Sequence, residues 1–150
     1  MPQSLAQVMV HIVVSTKGRT PWLNEGIQPE MFSYLATVVR NAGHTVVSVG
    51  GHTDHVHILI GLSRTETIAR TVEVLKTSSS KWIKTKGETY HEFAWQRGYG
   101  AFGVSFSAVP AVVSYIANQP SHHHVVSFQD ELRQLMIENG IEIDERYIWD

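Results

Sequence analysis

The chain of 150 residues contains no cysteine. That absence excludes disulfides, thiolate metal sites and cysteine nucleophiles, and leaves His, Tyr, Asp, Glu and Gln to carry any chemistry. No apolar run reaches the roughly 20 residues that a membrane span needs. The N-terminus has no basic segment followed by an apolar signal core, so a cytoplasmic chain with no membrane partner is expected. Charge is also scarce: a net charge of −2 argues against indiscriminate binding to a polyanion. The total conceals an asymmetry, because residues 1–97 hold ten Lys/Arg against seven Asp/Glu while residues 98–150 hold two against seven. Set against these shortages are nine histidines and a 43% hydrophobic content, enough for one core in a single domain spanning 1–150.

Periodicity divides the chain into elements. Val8 to Ser15 is β-branched and nearly continuous, as a buried strand would be, and Lys17-Gly18-Arg19 with Pro21 ends it. From Pro29, the apolar positions Met31, Phe32, Leu35, Val38 and Val39 recur at helical spacing until Gly43. Thr45 to Val49 and His55 to Leu62 read as a hairpin turning at Gly50-Gly51. Ser63-Arg64-Thr65-Glu66 fits a capping box for a helix that ends at Gly87, with Ile68, Val72, Leu75, Trp82 and Ile83 inward. Phe102 to Ser107 alternates like a strand. The order βαββαβ predicts an α+β, ferredoxin-like antiparallel sheet with two helices on one face. Additional C-terminal helices are expected over Val109 to Gln119 and, capped by Ser127, over Phe128 to Asn139, followed by a docked tail from Ile141 to Trp149.

Two constellations carry chemistry. In His55-Val56-His57-Ile58-Leu59-Ile60 the strand period of two puts both imidazoles on one face and the apolar residues on the other, which suits bidentate metal binding or, equally, a polar sheet face. Tyr115 and Gln119 lie one helical turn apart, beside a stripe of Val109, Val112, Val113 and Ile116. They fit a nucleophile and a ligand, or an amphipathic helix with a tyrosine at its edge. Asp54 either orients the histidine pair from behind or caps a turn. His122-His123-His124 reads as a polar surface run, and His11, His44, His52 and His91 as ordinary strand or turn histidines. Lys76, Lys81, Lys84 and Arg97 are candidate phosphate contacts, with Trp82 or Trp95 as stacking candidates and Trp82 also suited to the core.

Taken jointly, His11 to Lys17, Asp54 to Leu59, Lys76 to Trp82 (K-T-S-S-S-K-W), Gln96 to Tyr99, Tyr115 to Gln119 and Asp144 to Tyr147 resemble the single-tyrosine transposases of the IS200/IS605 type. These include the transposases associated with repeated extragenic palindromes (REP) and belong to the HUH endonuclease superfamily. The resemblance implies that His55, His57 and Gln119 hold Mg²⁺ or Mn²⁺ and that Tyr115 is the nucleophile. It implies nicking and rejoining of hairpin-containing single-stranded DNA through a 5′-phosphotyrosine. It also implies a homodimer in which the tyrosine helix of one subunit completes the other's metal site. No base for Tyr115 is evident in the sequence. Two other readings stand beside this one: a domesticated or inactive DNA-binding protein of the same fold, and a metal-dependent phosphohydrolase that has no use for Tyr115.

Overall fold

A computed structural model describes residues 4–123, 126–146 and 148–149, so His124 and Tyr147 lie outside the described residues. Seven consecutive buried residues, Met9–Ser15, form β1. A strand buried on both sides must lie inside a sheet with layers on both faces. It does: the order is β2-β3-β1-β4 and every pairing is antiparallel, with β2 at Thr45–Gly51, β3 at His55–Gly61 and β4 at Gly100–Val104. The ferredoxin-like topology is the expected one.

The two faces of the sheet differ in kind. Val10, Ile12 and Val14 of β1 and Val56, Ile58 and Ile60 of β3 join Met31, Leu35 and Val39 of helix α1 (Gln28–Asn41) in the main core. Val72, Leu75 and Ile83 of helix α2 (Ile68–Lys84) complete that layer. Each of the larger side chains contributes about 1.5–3 kcal/mol by leaving water. The alternate residues, His11, Val13 and Ser15 of β1 and His55, His57 and Leu59 of β3, face the other way. The register places Val13 opposite His57 and Ser15 opposite His55. Over that face lie α3 (Val109–Ala117), the single turn α4 (Gln119–His122) and α5 (Phe128–Glu138).

Several boundaries depart from the sequence expectation, each for a local reason. Helix α2 is capped by Thr67, whose hydroxyl accepts from the Arg70 amide at 3.0 Å. Ser63 does not cap it, because its own amide is held at the end of β3 by His44 Nδ1 at 2.9 Å. The helix ends at Lys84, before Gly87. Residues 106–108 leave β4 in a 3₁₀ turn that feeds Pro110 into the first turn of α3, where its missing N–H costs nothing. Helix α3 breaks at Asn118 (φ −94°, ψ 10°), and Pro120 lies in the first turn of α4, so proline here redirects the helix without ending it. Among the described residues no helix is long and apolar enough to cross a membrane.

Candidate active site

His55 and His57 are fully buried on the face opposite the main core. Their outer nitrogens are held from behind. His55 Nδ1 lies 2.7 Å from Asp54 Oδ1, and His57 Nδ1 lies 2.7 Å from Nε2 of His11. Holding one ring nitrogen fixes orientation and tautomer and presents the other nitrogen forward, the arrangement that supports metal-binding imidazoles. Of the two readings of Asp54, the contact with His55 Nδ1 fits the orienting one. His11 does more than an ordinary strand histidine would. Burial, with the neighbouring His57 adding to it, lowers its pKa to about 3, so it stays neutral and can accept from His57.

Tyr115 and Gln119 reach this face because α3 crosses the sheet at close range. At Gly50 an added Cβ would come within 2.8 Å of both the Ile116 side chain and its carbonyl oxygen. Only a residue without a side chain lets the helix come so near. Ile116 packs on Met9 and Leu59, which turns Tyr115 toward the histidines, its ring 5.5 Å from that of His57. Gln119 is completely buried, and its Oε1 lies 2.8 Å from His55 Nε2. All four residues that the sequence singles out thus converge within one chain.

Three further residues join them. Glu131 of α5, 3% exposed, places Oε1 at 2.8 Å from His57 Nε2, while its Oε2 accepts from the Tyr115 hydroxyl and from Gln119 Nε2. His123 is not a surface residue. Its side chain is 3% exposed, its Nδ1 is 2.6 Å from the Val126 carbonyl, and its Nε2 is 2.9 Å from Gln119 Oε1 and 3.1 Å from Glu131 Oε2. The kink at Asn118 and the turn of α4 bring it inward. His122 is 29% exposed, with Nε2 3.0 Å from Glu131 Oε2 but outside hydrogen-bond geometry. His11 is the third addition. By contrast, His44 serves the fold, bridging Ser63 and Thr71.

The donor set has a surplus of lone pairs. His55 and His123 spend their Nδ1 protons on Asp54 and Val126, so their Nε2 atoms face the Gln119 oxygen with no proton left to share. The amide orientation is fixed, since its nitrogen donates to Glu131 at 3.0 Å. Such convergence calls for an added proton or a cation. Burial opposes charging His123, but its bond to Glu131 and that carboxylate's charge outweigh burial and raise its pKa. Burial alone would raise Glu131, yet His123, His57 and Tyr115 together hold it far below the carboxylate range. Tyr115 is pushed well above an ordinary phenol by burial and by Glu131. Ligand atoms of His55, His57, His123 and Glu131 all lie within 4.8 Å of one another, a buried group able to hold a metal ion. Imidazole with oxygen donors suits a divalent transition metal or Mn²⁺.

The expected DNA contacts fare differently. Lys76 is not free for phosphate: its ammonium donates to the carbonyls of Gln96, Arg97 and Gly98 at 2.7, 3.1 and 2.8 Å, and burial lowers its pKa to about 8. Trp95 is buried with Nε1 on Ser79 Oγ at 2.9 Å, and Trp82 stacks on Tyr34 with ring centroids 4.7 Å apart. The K-T-S-S-S-K-W segment thus clamps the connection to β4. Lys81 and Lys84 are exposed on α2, across the sheet from the histidines. Arg97 is also exposed, next to Gln96, which accepts from Ser15 at the histidine end of the sheet.

Comparison with known proteins bears on the fold and the family. None of the curated proteins matches the chain significantly. Among solved structures, a candidate transposase from Deinococcus radiodurans R1 superposes with a TM-score of 0.63 at 22% identity, covering 79% of this chain and 95% of that one. A REP-associated tyrosine transposase bound to a REP hairpin gives 0.62 at 14% identity, covering 84% of this chain and 74% of that one. At those identities the likeness establishes the fold. The model of the family described as "Transposase IS200 like" matches residues 4–119, most of the chain, and the protein therefore belongs to the IS200-like transposase family.

Proposed function

We propose that this chain, a DNA transposase by family, cuts and rejoins hairpin-containing single-stranded DNA with Tyr115 as nucleophile and with His55, His57 and Gln119 holding Mg²⁺ or Mn²⁺. The observation that carries the reading is the meeting of the Tyr115 hydroxyl and the buried donor set on one carboxylate, Glu131, in one chain. The REP hairpin bound by the solved relative supports a hairpin substrate.

Tyr115 Oη attacks the phosphorus, the bond to the 3′-oxygen breaks, and the phenol proton is balanced by the proton gained at the released 3′-hydroxyl. A 5′-phosphotyrosine remains. One phosphodiester replaces another, so a different 3′-hydroxyl can reverse the step without ATP. A bound divalent ion would supply charge to polarise the non-bridging phosphate oxygens. Asp54 and His11 keep the two imidazoles aimed, and burial of His55, His57 and Gln119 excludes water that would compete with the phenol. Arg97, exposed at this end of the sheet, is the best placed of the expected phosphate contacts. Since Tyr115 and the ligands meet within one chain, a second subunit is not needed to complete the site.

One observation favours the DNA-binding reading without cleavage. The cleft of ≈ 460 Å³ that Tyr115 opens onto is lined by Asp130, Glu131 and Glu138, which repel a phosphate. That reading expects hairpin binding with no Mn²⁺-dependent nicking. The test is incubation of labelled hairpin oligonucleotides with Mn²⁺ and the wild-type or Tyr115→Phe chain. A denaturant-resistant adduct that forms with wild type and disappears in Tyr115→Phe, with hairpin binding kept, is the expected result. Adducts persisting in the variant refute the assignment.

A further inference from the structure

The side chain of Glu131 has two oxygens, and they point to two different tasks. Oε1 lies 2.8 Å from His57 Nε2 and 3.5 Å from His55 Nε2, among the nitrogens that would hold a metal. Oε2 accepts from the Tyr115 hydroxyl and from Gln119 Nε2 at 3.0 Å, and lies 3.1 Å from His123 Nε2. Glu131 belongs to α5, beyond the matched residues 4–119, so nothing in the family match calls for it.

The helix that carries it is fixed in place. Ser127 caps it by accepting from the Asp130 amide at 3.2 Å. Phe128 stacks on the His55 ring with centroids 4.4 Å apart, and Leu132 and Leu135 pack with Val13 and Phe102. Glu131 is the one acid that this apolar face buries. A carboxylate brought out of water to 3% exposure is costly unless charged or strongly polar partners surround it, and here side-chain atoms of His55, His57, Tyr115, Gln119, His122 and His123 do. The chain maintains that burial at a point that touches every residue of the proposed chemistry.

We propose that Glu131 is a shared group, one oxygen completing the metal-donor set with His123 and the other positioning the Tyr115 hydroxyl beside it. The proposal rests on the tyrosine-and-metal reading of the site. Its consequence is linkage. A carboxylate that lends electron density to the phenol proton has less for a cation, so tyrosine and metal compete for the same side chain. A hydrogen bond to a charged group shifts an equilibrium constant by roughly tenfold or more. Part of that factor appears in metal affinity when the hydroxyl is removed.

The experiment measures Mn²⁺ affinity without DNA, by electron paramagnetic resonance, for wild type, Tyr115→Phe, Glu131→Gln and the double variant. Tyr115→Phe is expected to bind Mn²⁺ roughly threefold to tenfold more tightly than wild type, and Glu131→Gln at least tenfold more weakly, the range in which supporting residues of metal sites fall. In the double variant the effect of Tyr115→Phe is expected to vanish. An unchanged affinity in Tyr115→Phe, or in Glu131→Gln, overturns the proposal. Because Tyr115→Phe keeps the ring and its contacts, it carries the test alone if Glu131→Gln does not fold. Failure of the wild type to bind Mn²⁺ overturns both this proposal and the metal reading beneath it, whereas missing adducts with normal Mn²⁺ linkage overturn the nuclease reading only.

Discussion

Adjacent residues of β3 enter two environments. Val56, Ile58 and Ile60 join the hydrophobic core that α1 and α2 cover, whereas His55 and His57 meet carboxylates, amides and other imidazoles. Both sets are completely buried. Burial therefore does not separate structure from function here; what separates them is what each face must do to stay buried. The apolar face is self-sufficient, because dispersion and the exclusion of water need no particular partner. The polar face stays buried only by satisfying each nitrogen and oxygen in turn, and its network has more lone pairs than protons. A face built that way is stable at one composition of charge and responds to ions and acid. The other is indifferent to both.

That contrast can be broken by paired substitutions. His57→Ala should lower adduct formation by about 10³-fold, equivalent to the several kcal/mol that metal charge contributes to phosphoryl chemistry, while costing less stability than its neighbour. Ile58→Ala should do the reverse: a loss of about 3 kcal/mol in urea unfolding, as for other buried large-to-small changes, with Mn²⁺ affinity unchanged. If the two profiles resemble each other, the faces are not separable. Gly50→Ala sharpens the comparison, since its added methyl meets Ile116 and pushes α3 from the sheet without altering any polar side chain of the site. It should cost about 1–3 kcal/mol by overpacking and reduce adducts more than it reduces Mn²⁺ binding, because Tyr115 rides on α3 and the histidines do not.

Acid distinguishes the faces more gently. The folded-state pKa of His11 is about 3, below the value near 6.5 expected when unfolded. The unfolded chain therefore binds the proton first, and stability that is complete above pH 6.5 falls as pH drops toward 3. At pH 5 the His11 contribution is a loss of about 2 kcal/mol. Urea melts of metal-free protein in EDTA at pH 7 and pH 5 should show it, and His11→Gln should lose correspondingly less. An equal loss in the variant would assign the acid sensitivity elsewhere.

How much of this was legible in the sequence follows the same division. The apolar face announces itself by period: β1, β3, α1 and α2 all follow from alternation or helical spacing, and so does the ferredoxin-like order. His55 and His57 were legible as a pair sharing one face of β3, whereas Tyr115 and Gln119 fall on α3 and α4 on either side of the break at Asn118, and the resemblance to the transposases was needed to single out all four. His11, His123 and Glu131 were not, since each comes from a different element and no local spacing joins it to the rest. Glu131 did leave a trace, as the acid at an inward position between Phe128 and Leu135 of an amphipathic helix. His123 left none, because its inward turn depends on the break at Asn118. Lys76 misled for the opposite reason: a lysine in a basic stretch looks like a phosphate contact until three carbonyls are found around its ammonium.

The central claim is that one chain brings its own phenol to its own metal donors. Mixing His57→Ala with Tyr115→Phe tests it, each inactive alone and each intact in what the other lacks. If every chain is self-contained, the mixture with hairpin DNA and Mn²⁺ yields no covalent adduct. An adduct on Tyr115 of the His57→Ala chain, restored by mixing, would show that the tyrosine acts in a neighbour's site and would contradict the account.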